Sequence, residues 1–351
     1  MKRAPHVSGL MFLAAFLVLA ASAAPAFAAP APKAPKYLWN IATVVPKGIG
    51  WAQQYEKLVM PTIAQVSNQE IGIKIHWGGV QGKDEEVIKK IRTGKLEGAG
   101  LDARGTVLAV KDFSVLTLPF LFEDYDEVDY VRAKMRPAFD KCVEKAGFFL
   151  VLWIDQDFDQ IYSSRYGFTD PKEFAEARYA NWCGDMEKRV IESLGGSTAP
   201  AEINSFMPLV KKGTVNAVMA PALWVVGTQL YSVFTCFNPV KIRYSPGSVL
   251  ISKKVWESIP EEYRKRYMEK RLGLEGTMNN TIRHDNKKAI AAMMRYGIKQ
   301  TSITDANLKI IKEKTRKVWA EMTESAFPKQ LLDEVLSRLS EFRRQKPGKS
   351  A

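Results

Sequence analysis

Histidine is scarce in this chain: among 351 residues only His6, His76 and His284 carry an imidazole. None of them stands in an H-E-x-x-H pattern, so no zinc hydrolase and no other metal site is expected. Cysteine is equally sparse. Cys142, Cys183 and Cys236 are an odd, widely spaced set rather than a disulfide framework, although one bridge, Cys183 to Cys236, is open in an oxidising compartment. No G-x-S-x-G elbow is present for Ser–His nucleophilic catalysis. The run Gly98 to Gly105 has the look of a dinucleotide loop. Its third glycine comes too late and no P-loop lysine follows, so it reads as a strand-to-loop turn. With 38 acidic residues, chance pairs of carboxylates are inevitable and none singles out acid–base chemistry. No cofactor is expected, and the chain does not read as an enzyme. No internal repeat of solenoid length appears.

Long apolar runs are missing too, with one exception. Leu10 to Ala24 is preceded by Lys2 and Arg3 and followed by Ala26-Phe27-Ala28, the positive start, short apolar stretch and small-x-small site of an export signal. The cut is expected after Ala28, leaving Ala29 to Lys36 as a stiff Pro/Ala-rich tether and the mature protein in the periplasm. No later stretch approaches the roughly 20 apolar residues of a membrane span. Hydrophobic (46%) and charged (25%) contents are those of a globular protein. The formal charge is +13, yet the basic residues interleave with acids, as in Glu261-Glu262-Tyr263-Arg264-Lys265-Arg266. They read as solvated helix faces, not a nucleic-acid surface.

What is present alternates between strand and helix. Ile71, Ile73, Ile75 and Trp77 alternate with Gly72, Lys74 and His76, a period of two. Trp51, Tyr55, Leu58, Val59, Ile63 and Val66 precede them at helical spacing. Asp84, Glu85 and Glu86 open a further helix and suit its N-terminal dipole, with Val87, Ile88 and Ile91 on one face and Gly94 as the stop. Phe148 to Ile154 is continuously apolar, as in a strand of a parallel sheet buried on both faces. Further helices are expected near Met186–Leu194 and Leu223–Leu230, and over Asp305–Arg344 with a break near Pro328. This order implies an α/β protein of two domains with long C-terminal helices.

Five segments resemble the solute-binding receptors of TRAP-type (tripartite ATP-independent periplasmic) transporters: Ile41 to Gly48, Trp77 to Val87, Arg92 to Ala99, Ser114 to Phe122 and Val249 to Trp256. They keep order and spacing from about residue 38 to 322. The resemblance implies a two-domain periplasmic-binding-protein-like clamp with a hinge. The divisions are a signal peptide over 1–28, a linker over 29–36, domain I over 37–156 plus 246–285, domain II over 157–245 plus 286–330, and a C-terminal helix and tail over 331–351. It also implies capture of a small molecule by closure and delivery to membrane transporter subunits.

The resemblance places an arginine where this chain has Ala180 and a second where it has Asp159, and an E-N-P turn where it has Met219-Ala220-Pro221. A shift of one or two residues would bring Arg178 or Arg165 into play. A buried carboxylate without a cation is costly, so simple organic acids should bind poorly. Trp182, Ile203, Met219 and Trp224, with Phe158 and Phe120 nearby, favour an apolar ligand. Asp102 and Asp159 would suit a cation or a polyol instead, and Arg104 is the remaining candidate for an anion. Thr43 from the first segment, Trp51 of the helix that follows it, Ala220, and Cys183 at a position that often faces the ligand complete the set. Receptors of this kind without the arginine are associated with hydrophobic ligands and with a tetratricopeptide-repeat partner. Two other readings stay open: an exported ligand sensor coupled to a signalling partner, and an exported enzyme on a clamp-like fold.

Overall fold

Alternating apolar residues need a sheet that covers one of their faces, and the first strand supplies it. In the computed structural model, which describes residues 34–48, 50–202 and 205–345, β1 (Tyr37–Ala42) leads into α1 (Trp51–Gln54). The helix continues through a π-helical turn at Tyr55–Val59 into α2 (Met60–Val66). The isoleucine alternation then forms β2 (Ile71–His76), parallel to β1 with Tyr37 beside Ile71 and Ala42 beside His76. The acidic cluster opens α3 (Asp84–Arg92), which ends before Gly94 in a left-handed conformation, φ 73°. The export signal, its cut and Ile203 lie outside the described residues.

β3 (Gly98–Leu101) pairs with β1, and the glycine-rich run does not end there in a loop. It passes directly into α4 (Ala103–Ala109), because the Asp102 carboxylate accepts the Gly105 N–H at 2.8 Å and caps the helix. Gly98 is required by its neighbour: a Cβ there would lie 2.4 Å from the Leu250 carbonyl oxygen. A 3₁₀ segment over Lys111–Thr117 and α5 (Tyr125–Lys145) follow.

The apolar run at Phe148 belongs to a much longer strand. β4 spans Phe148–Ser163, and both of its neighbours are antiparallel, not parallel as the run suggested. An unbroken apolar stretch reports that both faces are covered; the direction of the neighbours depends on segments far along the chain. Then come α6 (Pro171–Glu176), β5 (Arg178–Asn181), α7 (Asp185–Ser193), β6 (Ser197–Pro200), α8 (Phe206–Lys211), β7 (Ala217–Ala220) and α9 (Ala222–Gly227). β8 (Cys236–Ser252) returns along β4. α10 (Lys253–Ser258), α11 (Glu261–Tyr296), the short β9 (Lys299–Gln300), α12 (Asp305–Met322) and α13 (Lys329–Gln345) complete the chain, the last two parted around Pro328.

The strands form one sheet in the order β2-β1-β3-β8-β4-β7-β5-β6, with β9 beside β8. β4 and β8 run through both halves of it, so the expected divisions after residues 156 and 245 fall inside these two strands. Their pairing slips at Leu150/Leu152, Asp155/Asp157 and Asp159/Ile161, the signature of β-bulges. One face is covered by a core that includes Phe113, Phe139, Trp153, Met186 and Trp319. The other is covered by Trp51, Tyr55, Phe237, Tyr267 and Met278, among others.

The 36-residue helix α11 is bolted across β4 by side chains. Glu275 accepts the Trp153 N–H at 2.8 Å and Asn279 the Asp155 N–H at 2.9 Å. Asn286 accepts the Leu223 N–H at 3.0 Å and donates to the Gln156 carbonyl at 2.8 Å. All three cysteines are free thiols, so no bridge joins Cys183 to Cys236. Among the described residues, no helix is long and apolar enough to cross a membrane.

Candidate functional site

Two cavities meet at Asp102. The first, a small cavity of about 50 Å³, opens between the ends of β1 and β3, the first helix and α11. Thr43, Trp51, Tyr55, Trp77, Ile154 and Met278 give it a mostly apolar wall, with Gln156 and Ser248 as polar points. The indole N–H of Trp51 is buried there without a hydrogen-bond partner. The second, about 360 Å³ and open to solvent, is a cleft between the two halves of the sheet. The Gly78–Gly79 turn, the start of α3 and the start of α4 supply one wall; Trp182, Ala201, Glu202 and Trp224 supply the other.

The charges around the cleft are arranged unevenly. Lys83 reaches Glu202 across the mouth at 2.9 Å, and Arg104 lies 2.6 Å from Glu85 and 3.8 Å from Glu202. Asp84 is 5% exposed and makes neither hydrogen bond nor ion pair. Gly105 makes room for it, since a Cβ at Gly105 would lie 3.0 Å from the Asp84 carboxyl carbon. Burial first, and then the nearby Asp102, push the Asp84 carboxyl up to about 8. Burial also raises Asp102, against the backbone N–H of Gly105 that favours its charged form.

Behind the cleft lies a buried ionic cluster. Asp159 on β4 stands opposite Arg243 on β8 in the ladder, and Arg243 Nε approaches Asp159 Oδ2 at 2.5 Å. The N–H does not point along that contact, so this is a close ion pair rather than an aligned hydrogen bond. Glu187 on α7 lies 3.5 Å from the other side of the guanidinium and accepts the backbone N–H groups of Trp182 and Cys183 at 2.8 and 2.7 Å. Burial raises Glu187 to about 7 despite Arg243. It also lifts Asp159 and the Cys183 thiol above their ordinary values. One cation thus faces two carboxylates without solvent.

The structure brings together Thr43, Trp51, Asp102, Arg104, Trp182 and Trp224 around the two cavities. Asp159 and Cys183 sit in the ionic cluster behind them. Ala180, Met219 and Ala220 are fully buried in β5 and β7, and the Met219 carbonyl accepts the Trp182 indole N–H at 2.8 Å. Phe158 lies elsewhere, packed between Tyr125 and Tyr244 at 5.2 and 5.9 Å. Phe120 lines a separate surface groove with Lys241 and Lys312. Arg178 is turned to the Gly213 carbonyl at 2.6 Å and Arg165 lies over the Tyr166 ring; neither lines a cavity. Sequence reasoning missed Arg243, Glu187 and Asp84 as site residues. Asp84 was visible only as a helix-dipole acid, and Arg243 carries no local signal.

The profile of the bacterial extracellular solute-binding protein family 7 matches residues 41–326. The chain belongs to that family. It is 23% identical over 274 residues to the C4-dicarboxylate-binding periplasmic protein DctP of Rhodobacter capsulatus, covering 75% of this chain and 78% of that one. Its fold is similar to that of the sugar acid binding protein of Advenella mimigardefordensis in complex with galactonate, with TM-score 0.80 at 15% identity over 88% of this chain and 99% of that one. It is also similar to a TRAP periplasmic solute-binding protein of Ralstonia eutropha with bound (S)-2-acetolactate, with TM-score 0.79 at 18% identity over 87% and 99%. This family 7 protein is therefore an extracellular solute-binding receptor and not an enzyme.

Proposed function

We propose that this receptor captures a small, largely apolar molecule without a free carboxylate. In this reading the export signal is cut after Ala28. The lobes are 37–156 with 246–285, and 157–245 with 286–330, and they close about the bulges of β4 and β8. Asp157 sits at the middle bulge with φ 155°.

The observation that carries the ligand class is the pairing of every nearby cation. Arg243 faces Asp159 and Glu187, while Lys83 and Arg104 face Glu202 and Glu85. In the cleft an incoming carboxylate would meet only Lys83 and Arg104, both already facing acids, and desolvating it unpaired is unfavourable. The relatives named above bind dicarboxylate, galactonate and acetolactate. An acid here would have to displace Glu85 and Glu202 from Arg104 and Lys83, or Asp159 and Glu187 from Arg243. The test is thermal unfolding with millimolar succinate, galactonate or glucuronate. No rise in melting temperature is expected; a clear rise with any of these acids would overturn the proposal.

A further inference from the structure

We infer that the ligand of this cleft is a small organic cation, a protonated amine or quaternary ammonium with an apolar body. The inference rests on the carboxylate-free ligand proposed above and narrows its class. Asp84 carries it. Its carboxyl lines the cleft, is almost fully buried, and makes no direct hydrogen bond or ion pair, the nearby Arg104 being paired with Glu85. A buried carboxylate in that state lacks a partner that a bound cation would supply. Asp102 lines the same floor, with one oxygen engaged by Gly105 N–H. Across the cleft stand Trp182 and Trp224, packed on each other with ring centroids 4.6 Å apart and both lining that wall. Indole faces are the strongest aromatic partners for a cation. Four carboxylates line the cleft, Asp84, Glu86, Asp102 and Glu202, against two cations, Lys83 and Arg104.

Proton linkage follows from the same geometry. The groups facing Asp84 are Asp102 and Arg104 of α4, Glu85 of its own helix and Glu202 across the cleft. The empty receptor holds Asp84 protonated below about 8. A quaternary ammonium binds the ionised form, so it must displace that proton. Affinity should rise by up to about tenfold per pH unit from pH 6 to 8 and level off above.

The experiment titrates the purified receptor, by tryptophan fluorescence and calorimetry, with choline against 3,3-dimethyl-1-butanol, and with phenethylammonium against 2-phenylethanol. Succinate is the acid control. The cation of at least one pair should bind about tenfold tighter than its neutral partner. Asp84→Asn should bring that preference to within about threefold without lowering the melting temperature, because it swaps a buried neutral carboxylic acid for an amide of the same shape and breaks no bond. Neutral partners binding equally well would overturn the cation and leave the carboxylate-free reading standing. Succinate binding tightest would overturn both. No saturable binding of either cation, or a preference that survives Asp84→Asn, would also overturn the cation.

Discussion

Asp159 and Arg243 meet across two strands, and neither position announces the other in the sequence. The family resemblance implies arginine at residue 159, where this chain carries an acid; a buried cation instead arrives from β8, directly opposite. Its net effect on stability is small compared with the cost of breaking it. Arg243→Met would leave Asp159 and Glu187 buried without a cation. It should lower the unfolding free energy by about 3–5 kcal/mol in urea titrations at pH 8. Adding Asp159→Leu should restore at least about 1 kcal/mol, because replacing both partners removes the stranded charge. A neutral Arg243→Met would mean that the cluster is not dry. Legibility at this scale was partial. Thr43, Trp51, Asp102, Trp182 and Trp224, expected from the order of the resembling segments, line the two cavities. Arg243 was not expected, because its role depends on the register of two long bulged strands.

At the scale of elements, short-range signals served well. The period of two gave β2, the acidic start and Gly94 gave α3, and Pro328 parted α12 from α13. What failed was partner direction: β4 was read as a short parallel strand and is a long antiparallel one. The side chains that tie α11 to β4 were silent as well, since Asn279 and Asn286 look like ordinary polar positions of a charged helix. Asn286 is the most exposed to test. It satisfies a backbone N–H at the start of α9, the helix that carries Trp224, and a carbonyl of β4. Asn286→Leu strands both, and should cost about 1–3 kcal/mol for each group left without a partner. Denaturant unfolding would read this, and a loss below about 0.5 kcal/mol would show that water replaces both bonds.

For the whole molecule, the order of the five segments along the chain conveyed the family but not the continuity of the sheet. That continuity has a direct test. Residues 37–156 alone lack β8, the strand that joins β3 to β4. They should show no cooperative thermal transition by circular dichroism. Joining residue 156 to residue 246 by a short glycine linker and continuing to 285 should restore one, because Asp155 already stands beside Pro246. A cooperative transition in the shorter piece would refute the lobe division. The same continuity bears on how the protein is made. Gly98 cannot acquire its neighbour Ile251 until more than a hundred and fifty residues have followed it. The β3 edge therefore cannot be completed ahead of the rest, and pairing so distant is slow. The strand order thus sets when the sheet closes: its two halves are joined only after β8 has been made.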